Sequence, residues 1–284
     1  NKLNFENLSF LFKNNKIILT FVAVFVVFIS YLLLPTFYNQ SDISKELKNK
    51  LQSKFDLNIK FSQNIKYNLF PSPHFKTKNI IIYDNQFEIS KVKDLKIFIS
   101  FDNLFSLKNI QVKNLIIENA NFNLNKNNFK FFLKLLSNDF IDRNLIIKKS
   151  NIFFKTLEGE VLFINKILKM RYYYEPNELK NIIYIDNEVF NIPFSMKSFF
   201  NNDKSKIFSE INIDLINLKI KNELTLNNDQ KLGISEFNIN KLKRIAEYKI
   251  AKNYFNFQIL DKIDQPKKIY KGEFNFKPFY AALE

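Results

Sequence analysis

Cysteine and tryptophan are absent from this 284-residue chain, glycine occurs three times and histidine once. Without cysteine there is no disulfide framework, no thiolate metal site and no cysteine nucleophile. Three glycines are too few for the phosphate-cradling loops of nucleotide-binding proteins. They are also too few to supply the left-handed turn positions of a large fold. Asparagine, abundant here, is expected to take those positions, because it tolerates that backbone better than other side chains. The lone His74, in Pro-Ser-Pro-His, cannot build a histidine-rich metal site and reads as a loop residue. No nucleophile elbow, HExxH or paired histidine–carboxylate cluster appears, so the chain reads as a non-enzyme with no cofactor and no metal.

Arginine is scarce too, standing only at 143, 171 and 244. The net charge of +15 therefore comes from lysine, spread along the whole chain. Arginine is the preferred reader of bases and phosphates, so a nucleic-acid partner is not expected. Lysine, asparagine, isoleucine and phenylalanine are enriched together, and all four have A/T-rich codons. A genome of low G+C content accounts for that pattern, with lysine as the default surface residue.

What is present begins with one apolar run. Ile17 to Leu34 carries no charge over 18 residues, between Lys16 and Pro35. At ~1.5 Å rise per residue such a helix covers ~27 Å, close to the ~30 Å hydrocarbon core of a bilayer. A soluble core helix of five turns would show a polar face. A signal peptide would have a shorter apolar run and a small-x-small cleavage site. The run is read as an uncleaved transmembrane helix, 17–34. Lys2, Lys13 and Lys16 fit a cytoplasmic tail over residues 1–16. Residues 35–284 then form a single domain on the far side, and its hydrophobic content of 46% supports a folded core.

Residues 41–55 repeat Ile43, Leu47, Leu51 and Phe55 every four positions, which predicts an amphipathic helix capped by Ser41 or Asp42. From Leu57 onward the period falls to two. Leu95, Ile97, Ile99 and Phe101 alternate with Lys96, Phe98 and Ser100. Val112, then Leu115 and Ile117, then Ala120, Phe122 and Leu124 alternate with two changes of frame, near Lys113-Asn114 and Glu118-Asn119. Frame changes of that kind predict bulges. Phe190, Ile192, Phe194 and Met196 alternate cleanly, as do Ile211 and Ile213. Only two later segments read as helices. Phe129–Leu136 follows Asn128, and Lys241–Lys252 carries Leu242, Ile245, Ala246 and Ile250 after Asn240. The fold class is mainly β with a few helices: one N-terminal span, then a long curved antiparallel sheet, groove-like, with one apolar face. The chain starts without Met and stops within a strand pattern at Phe279–Glu284, so a fragment of a longer protein is expected.

The order of elements resembles the AsmA family of bacterial envelope proteins. The likeness is carried by the span and helix 41–55, then Leu57-Asn58-Ile59-Lys60-Phe61 and Tyr67-Asn68-Leu69-Phe70-Pro71-Ser72-Pro73-His74-Phe75. It continues in Asn79–Tyr83, Val92–Ile99 and Leu104–Leu115, with Leu145–Phe154 and Lys271–Phe279 similar to later strands. Asp56 and Asn127-Asn128 stand where the family often has glycine. The resemblance implies a periplasmic β-groove anchored in the inner membrane, with membrane phospholipid as partner and a role in outer-membrane biogenesis and lipid transport. Candidate lining residues are Leu95, Ile97, Ile99, Phe101, Phe190, Ile192, Phe194, Ile211 and Ile213. Two alternatives stay open: an anchored structural protein with a closed dry core, and a jelly-roll component of lipopolysaccharide transport.

Overall fold

The structure is a computed structural model that describes residues 16–62, 64–84, 87–125, 127–128, 131, 141, 144–201, 203–226, 230–240, 242–251, 254–260, 269–276 and 279–283. The apolar run forms helix α1 (Lys16–Leu33), which ends in a 3₁₀ turn, Leu34–Phe37, with Pro35 at its start. Its side chains from Ile18 to Phe28 are exposed, as a helix long and apolar enough to cross a membrane requires.

Helix α2 (Gln40–Phe55) follows after two residues. Its cap is Asn39, whose side chain accepts from the Ser41 N–H at 2.8 Å, and not Ser41 or Asp42. The helix thus starts one residue earlier than its apolar stripe suggests, and Asp42 falls in the first turn beside the free N–H groups. Asp56 closes the helix in the left-handed conformation, φ 55°, the position where glycine is the usual choice. Ile43, Leu47, Leu51 and Phe55 are all buried.

The rest is one 16-stranded sheet. Its strands are β1 (Asn58–Lys60), β2 (Lys66–Asn68), β3 (His74–Asp84), β4 (Phe87–Ile99), β5 (Val112–Leu124), β6 (Asn144–Lys155), β7 (Val161–Glu175) and β8 (Lys180–Val189). They continue as β9 (Ile192–Phe200), β10 (Lys206–Ile213), β11 (Leu218–Leu226), β12 (Lys231–Ile239), β13 (Leu242–Ile250), β14 (Tyr254–Leu260), β15 (Ile269–Phe276) and β16 (Phe279–Leu283). From β3 to β16 each strand pairs with the next, and β1 and β2 both pair with β3. A single open sheet of this kind is not a jelly roll, which needs two facing sheets. One pair departs from the antiparallel expectation: β5 and β6 run parallel. The crossover between them contains Phe129–Leu136, a segment that lies outside the described residues except for Phe131.

Two further expectations are corrected. The helix expected over residues 241–252 is corrected, because its described part Leu242–Ile250 is strand β13, paired on both sides. Asn240 is a left-handed turn residue, φ 44°, in the β12–β13 hairpin and not a helix cap. His74 opens β3, is buried, and stacks on Phe98 at 4.8 Å.

The expected frame changes are real. Asn79, Asn119 and Lys149, on β3, β5 and β6, all have positive φ. By register they lie on one line across the sheet, which Leu168 of β7 continues as a bulge. Crossing that line shifts the inward positions by one residue. Leu115 and Ile117 face the core before it, Ala120 and Phe122 after it. The earlier change, near Lys113, is a bulge opposite Phe98 and Ile99. Among the described non-glycine residues with positive φ, asparagine is the commonest, at 79, 103, 119, 191, 217 and 240.

The core sits between α2 and the first strands. The α2 stripe meets Leu95, Ile97, Leu115, Ile117 and Leu145 in one buried cluster. Each such side chain contributes roughly 1.5–3 kcal/mol by leaving water.

Candidate functional site

Residues directly opposite each other on neighbouring strands point to the same side of a sheet. The register therefore traces one face across the whole molecule. Starting from Leu145 in the core, the line passes to Tyr172, Ile183, Ser198, Ser209, Asn222, Ser235, Ala246 and Ile259. The face that α2 covers at one end is the same face that runs on to β16.

Two apolar rows flank that line. One holds Met170, Ile185, Met196, Ile211, Ile220 and Phe237. The other holds Phe200, Ile207, Leu224 and, beyond Gly233, Tyr248 and Phe257. Beyond β8 most of these side chains are partly buried. No helix lies over them among the described residues. Their shelter comes from neighbours on the same face, and the buried side chains described past β8, Ser198, Ser235 and Ala246, all lie on it, which makes it the inner side of the curved sheet.

The opposite face is mainly charged. Lys197, Lys206, Lys221 and Lys243 pair there with Glu178, Glu223, Glu210 and Glu236. Such pairs are exposed and screened by water, so they add little to stability. The Lys197 ammonium holds the Glu178 carboxyl below its ordinary range. Their role is to keep this side in water.

The floor of the groove is small and polar along one line. Ser198 and Ser209 share a hydroxyl–hydroxyl contact. The Ser235 hydroxyl donates to Asn222 Oδ1 at 2.7 Å, and the Tyr248 hydroxyl donates to the same oxygen at 2.6 Å. Small side chains let a sheet bend inward without crowding. Their mutual hydrogen bonds leave little polar demand on whatever lies above. Two carboxamide oxygens on this face, of Asn165 and Asn187, are buried without a partner.

The nine residues singled out from sequence fall into three places. Leu95, Ile97 and Ile99 are buried beneath α2, in the core. Phe194, Ile211 and Ile213 stand partly buried on the open stretch of the concave face, with Ile192 more exposed at its rim. Phe101 and Phe190 are elsewhere: Phe101 is in the turn after β4, and Phe190 is in the β8–β9 turn with φ 51° and 79% exposure. The groove rows contain residues not singled out, notably Met196, Ile220, Leu224 and Phe237. Their alternation within each strand was readable. Which strands lie side by side was not.

The end of α1 is tied into the domain by three tyrosines. The Tyr31 hydroxyl donates to the Phe101 carbonyl at 2.7 Å and accepts from the Leu104 N–H at 3.1 Å. The Tyr67 hydroxyl donates to the Leu32 carbonyl at 2.8 Å, and Tyr38 donates to the Leu104 carbonyl. Burial pushes the Tyr67 phenol up to about 12. The span is thus fixed to the sheet by directional bonds and not only by chain connectivity.

The AsmA family model matches residues 12–151, which take in α1, α2 and the sheet as far as β6. No curated protein and no solved structure matches the chain. The matched stretch takes in α1, the capped helix α2 and the first strands, so residues 12–151 are an AsmA-family segment of this chain.

Proposed function

We propose that this chain is a non-enzymatic protein of the bacterial cell envelope that shelters phospholipid acyl chains on the concave face of its sheet. In this reading α1 anchors it in the inner membrane, with the N-terminus cytoplasmic and the sheet periplasmic. It serves movement of lipid toward the outer membrane. The observation that carries the reading is the single apolar face that starts as a closed core under α2 and continues past β8 with no helix over it among the described residues. Each CH₂ removed from water contributes roughly 0.8 kcal/mol. A two-chain lipid therefore leaves a bilayer only where a lining of this kind replaces its neighbours. Head groups stay in solvent beside the groove, so the lining itself needs no charge.

The test is native mass spectrometry of the full chain released from detergent. Phospholipid adducts are expected on the wild type. They are expected to be lost in Ile211→Asp, which puts a charge on the open face. They are expected to persist in Leu232→Asp, on the opposite face. Adducts that survive Ile211→Asp would be lipid around the span and not in the groove. A lipid-free wild type would favour the anchored structural protein.

A further inference from the structure

We infer that the base of the domain is a docking surface for an anionic phospholipid bilayer. Phe37, Phe70, Phe101 and Phe105 form an aromatic rim that enters the membrane interface, and Lys66, Lys76 and Lys96 form a row behind it that meets the headgroups. This inference rests on reading α1 as a membrane span.

The depth of the rim follows from the bonds at the end of α1. Tyr31 and Leu32 lie in its last turn. Tyr31 is bonded to the backbone of Phe101 and Leu104, and its ring meets Phe105 at 4.8 Å. Tyr67 is bonded to Leu32, and Phe70 follows three residues later. The loop holding Phe70 is tied to the same place, because the Ile99 N–H donates to the Pro73 carbonyl at 3.0 Å. Where the last turn of α1 leaves the bilayer, these loops are beside it. Yet their rings face outward: Phe37 is 83% exposed, Phe70 83%, Phe105 75% and Phe101 50%. Four exposed phenylalanines around one helix end make an apolar patch of the kind that marks an interaction surface. At a bilayer such rings insert at the boundary of headgroups and acyl chains.

The lysines are a separate observation. Lys66 stands opposite Lys76, and Lys76 opposite Lys96, on three adjacent strands. Like charges directly opposite each other destabilise a sheet. Among the described residues only Lys96 has a carboxylate partner, Glu118 at 3.2 Å. An external anion would relieve the other two. The row lies two residues, ~7 Å, along the strands from the His74–Phe98 pair. That distance is comparable with the ~5–8 Å headgroup layer of one leaflet. Phe70 of the rim and Lys76 and Lys96 of the row line one cleft, with His74, Phe98, Glu118 and Lys148, so the rim and the row meet at Phe70.

The chain has no tryptophan, so a single introduced one is a unique reporter. Full-length F25W, F70W, F105W and F190W are reconstituted in vesicles of equal parts phosphatidylcholine and phosphatidylglycerol. The acyl chains of the phosphatidylcholine are brominated. F25W, in the middle of the span, and F70W and F105W are expected to lose most of their emission. F190W, in the distant β8–β9 turn, is expected to keep it. If F25W is quenched and F70W and F105W behave like F190W, the anchor stands and the docking surface falls. If F25W is also unquenched, the span itself fails and the docking surface with it. A second arm compares F70W in these vesicles with F70W in vesicles where unbrominated phosphatidylcholine replaces the phosphatidylglycerol, so that the quencher content is equal. Stronger quenching with the anionic lipid is expected, and that increment should vanish in K66Q/K76Q/K96Q. No increment in the parent, or one unchanged by the triple substitution, overturns the role of the lysine row. Neither arm reads groove lipid, so its failure is separable from failure of the lipid-sheltering reading.

Discussion

Two of the three glycines are placed by aromatic rings. Gly233 lies opposite Tyr248, and Gly272 opposite Phe257. A Cβ at Gly233 would overlap the Tyr248 ring, and one at Gly272 the Phe257 ring. The rings lie flat across the strand because nothing projects beneath them, which also aims the Tyr248 hydroxyl at Asn222. Gly233→Ala is expected to cost about 1–3 kcal/mol, the usual penalty of overpacking, seen as a lower urea midpoint. Gly159→Ala, with open space around its Cβ, should meet only backbone strain at φ 95°. A second prediction concerns Tyr67. Its phenol titrates near 12 in the folded chain against an ordinary 10.0. The folded state therefore holds the proton more tightly, and its contribution to stability is complete below pH 10. It is lost as pH rises from about 10 to about 12. The seam between α1 and the sheet should loosen over that window. Proteolysis after Leu34 as a function of pH would show it, with Tyr67→Phe lacking that component.

At the scale of the element, α2 is the lid of the covered half of the sheet. Leu47 and Leu51 are as buried as any residue in the core. Leu47→Ala should destabilise by about 2–5 kcal/mol, and Asn39→Ala by about 1 kcal/mol through loss of the cap. Thermal unfolding followed by circular dichroism measures both. A near-neutral Leu47→Ala would mean that α2 is not part of the core. This helix was readable from sequence because Lys45, Asn49 and Ser53 stand at the period-two positions between its four apolar residues, where an apolar strand face would not place them. The inward faces of β4 and β5 were readable as well, including the frame change at Asn119, since burial enforces alternation residue by residue. Residues 241–252 were not. Leu242, Ala246 and Ile250 are spaced by four, which satisfies period two as well as a helix, and all three lie on the concave face of β13. Asn240 then looked like a cap because asparagine suits both a helix start and a left-handed hairpin turn. The parallel pairing of β5 with β6 leaves no local trace. It depends on where a crossover returns, not on which residues face inward.

Across the whole molecule the same face passes from dry to open, and its dynamics should follow. Every strand from β3 to β15 is paired on both edges, so hydrogen bonding alone would protect all the interior strands alike. What differs is the apolar burial that opposes local opening. Side chains of β3–β6 on this face are mostly fully buried, whereas those of β10–β13 are mostly only partly so. Amide exchange tracks the free energy of such openings. In detergent stripped of phospholipid, β10–β13 should exchange faster than β3–β6. Lipid seated in the groove stabilises only the state that holds it, by about 2.7 kcal/mol at a concentration 100 times its Kd. That corresponds to roughly 100-fold slower exchange in the strands whose opening releases the lipid. Hydrogen–deuterium exchange read by mass spectrometry, with and without phospholipid, separates the alternatives. Slowing confined to β10–β13, with β3–β6 unchanged, is the expected outcome. Equal protection along the sheet without lipid, and no response to it, would mean that the open half closes on itself and holds nothing.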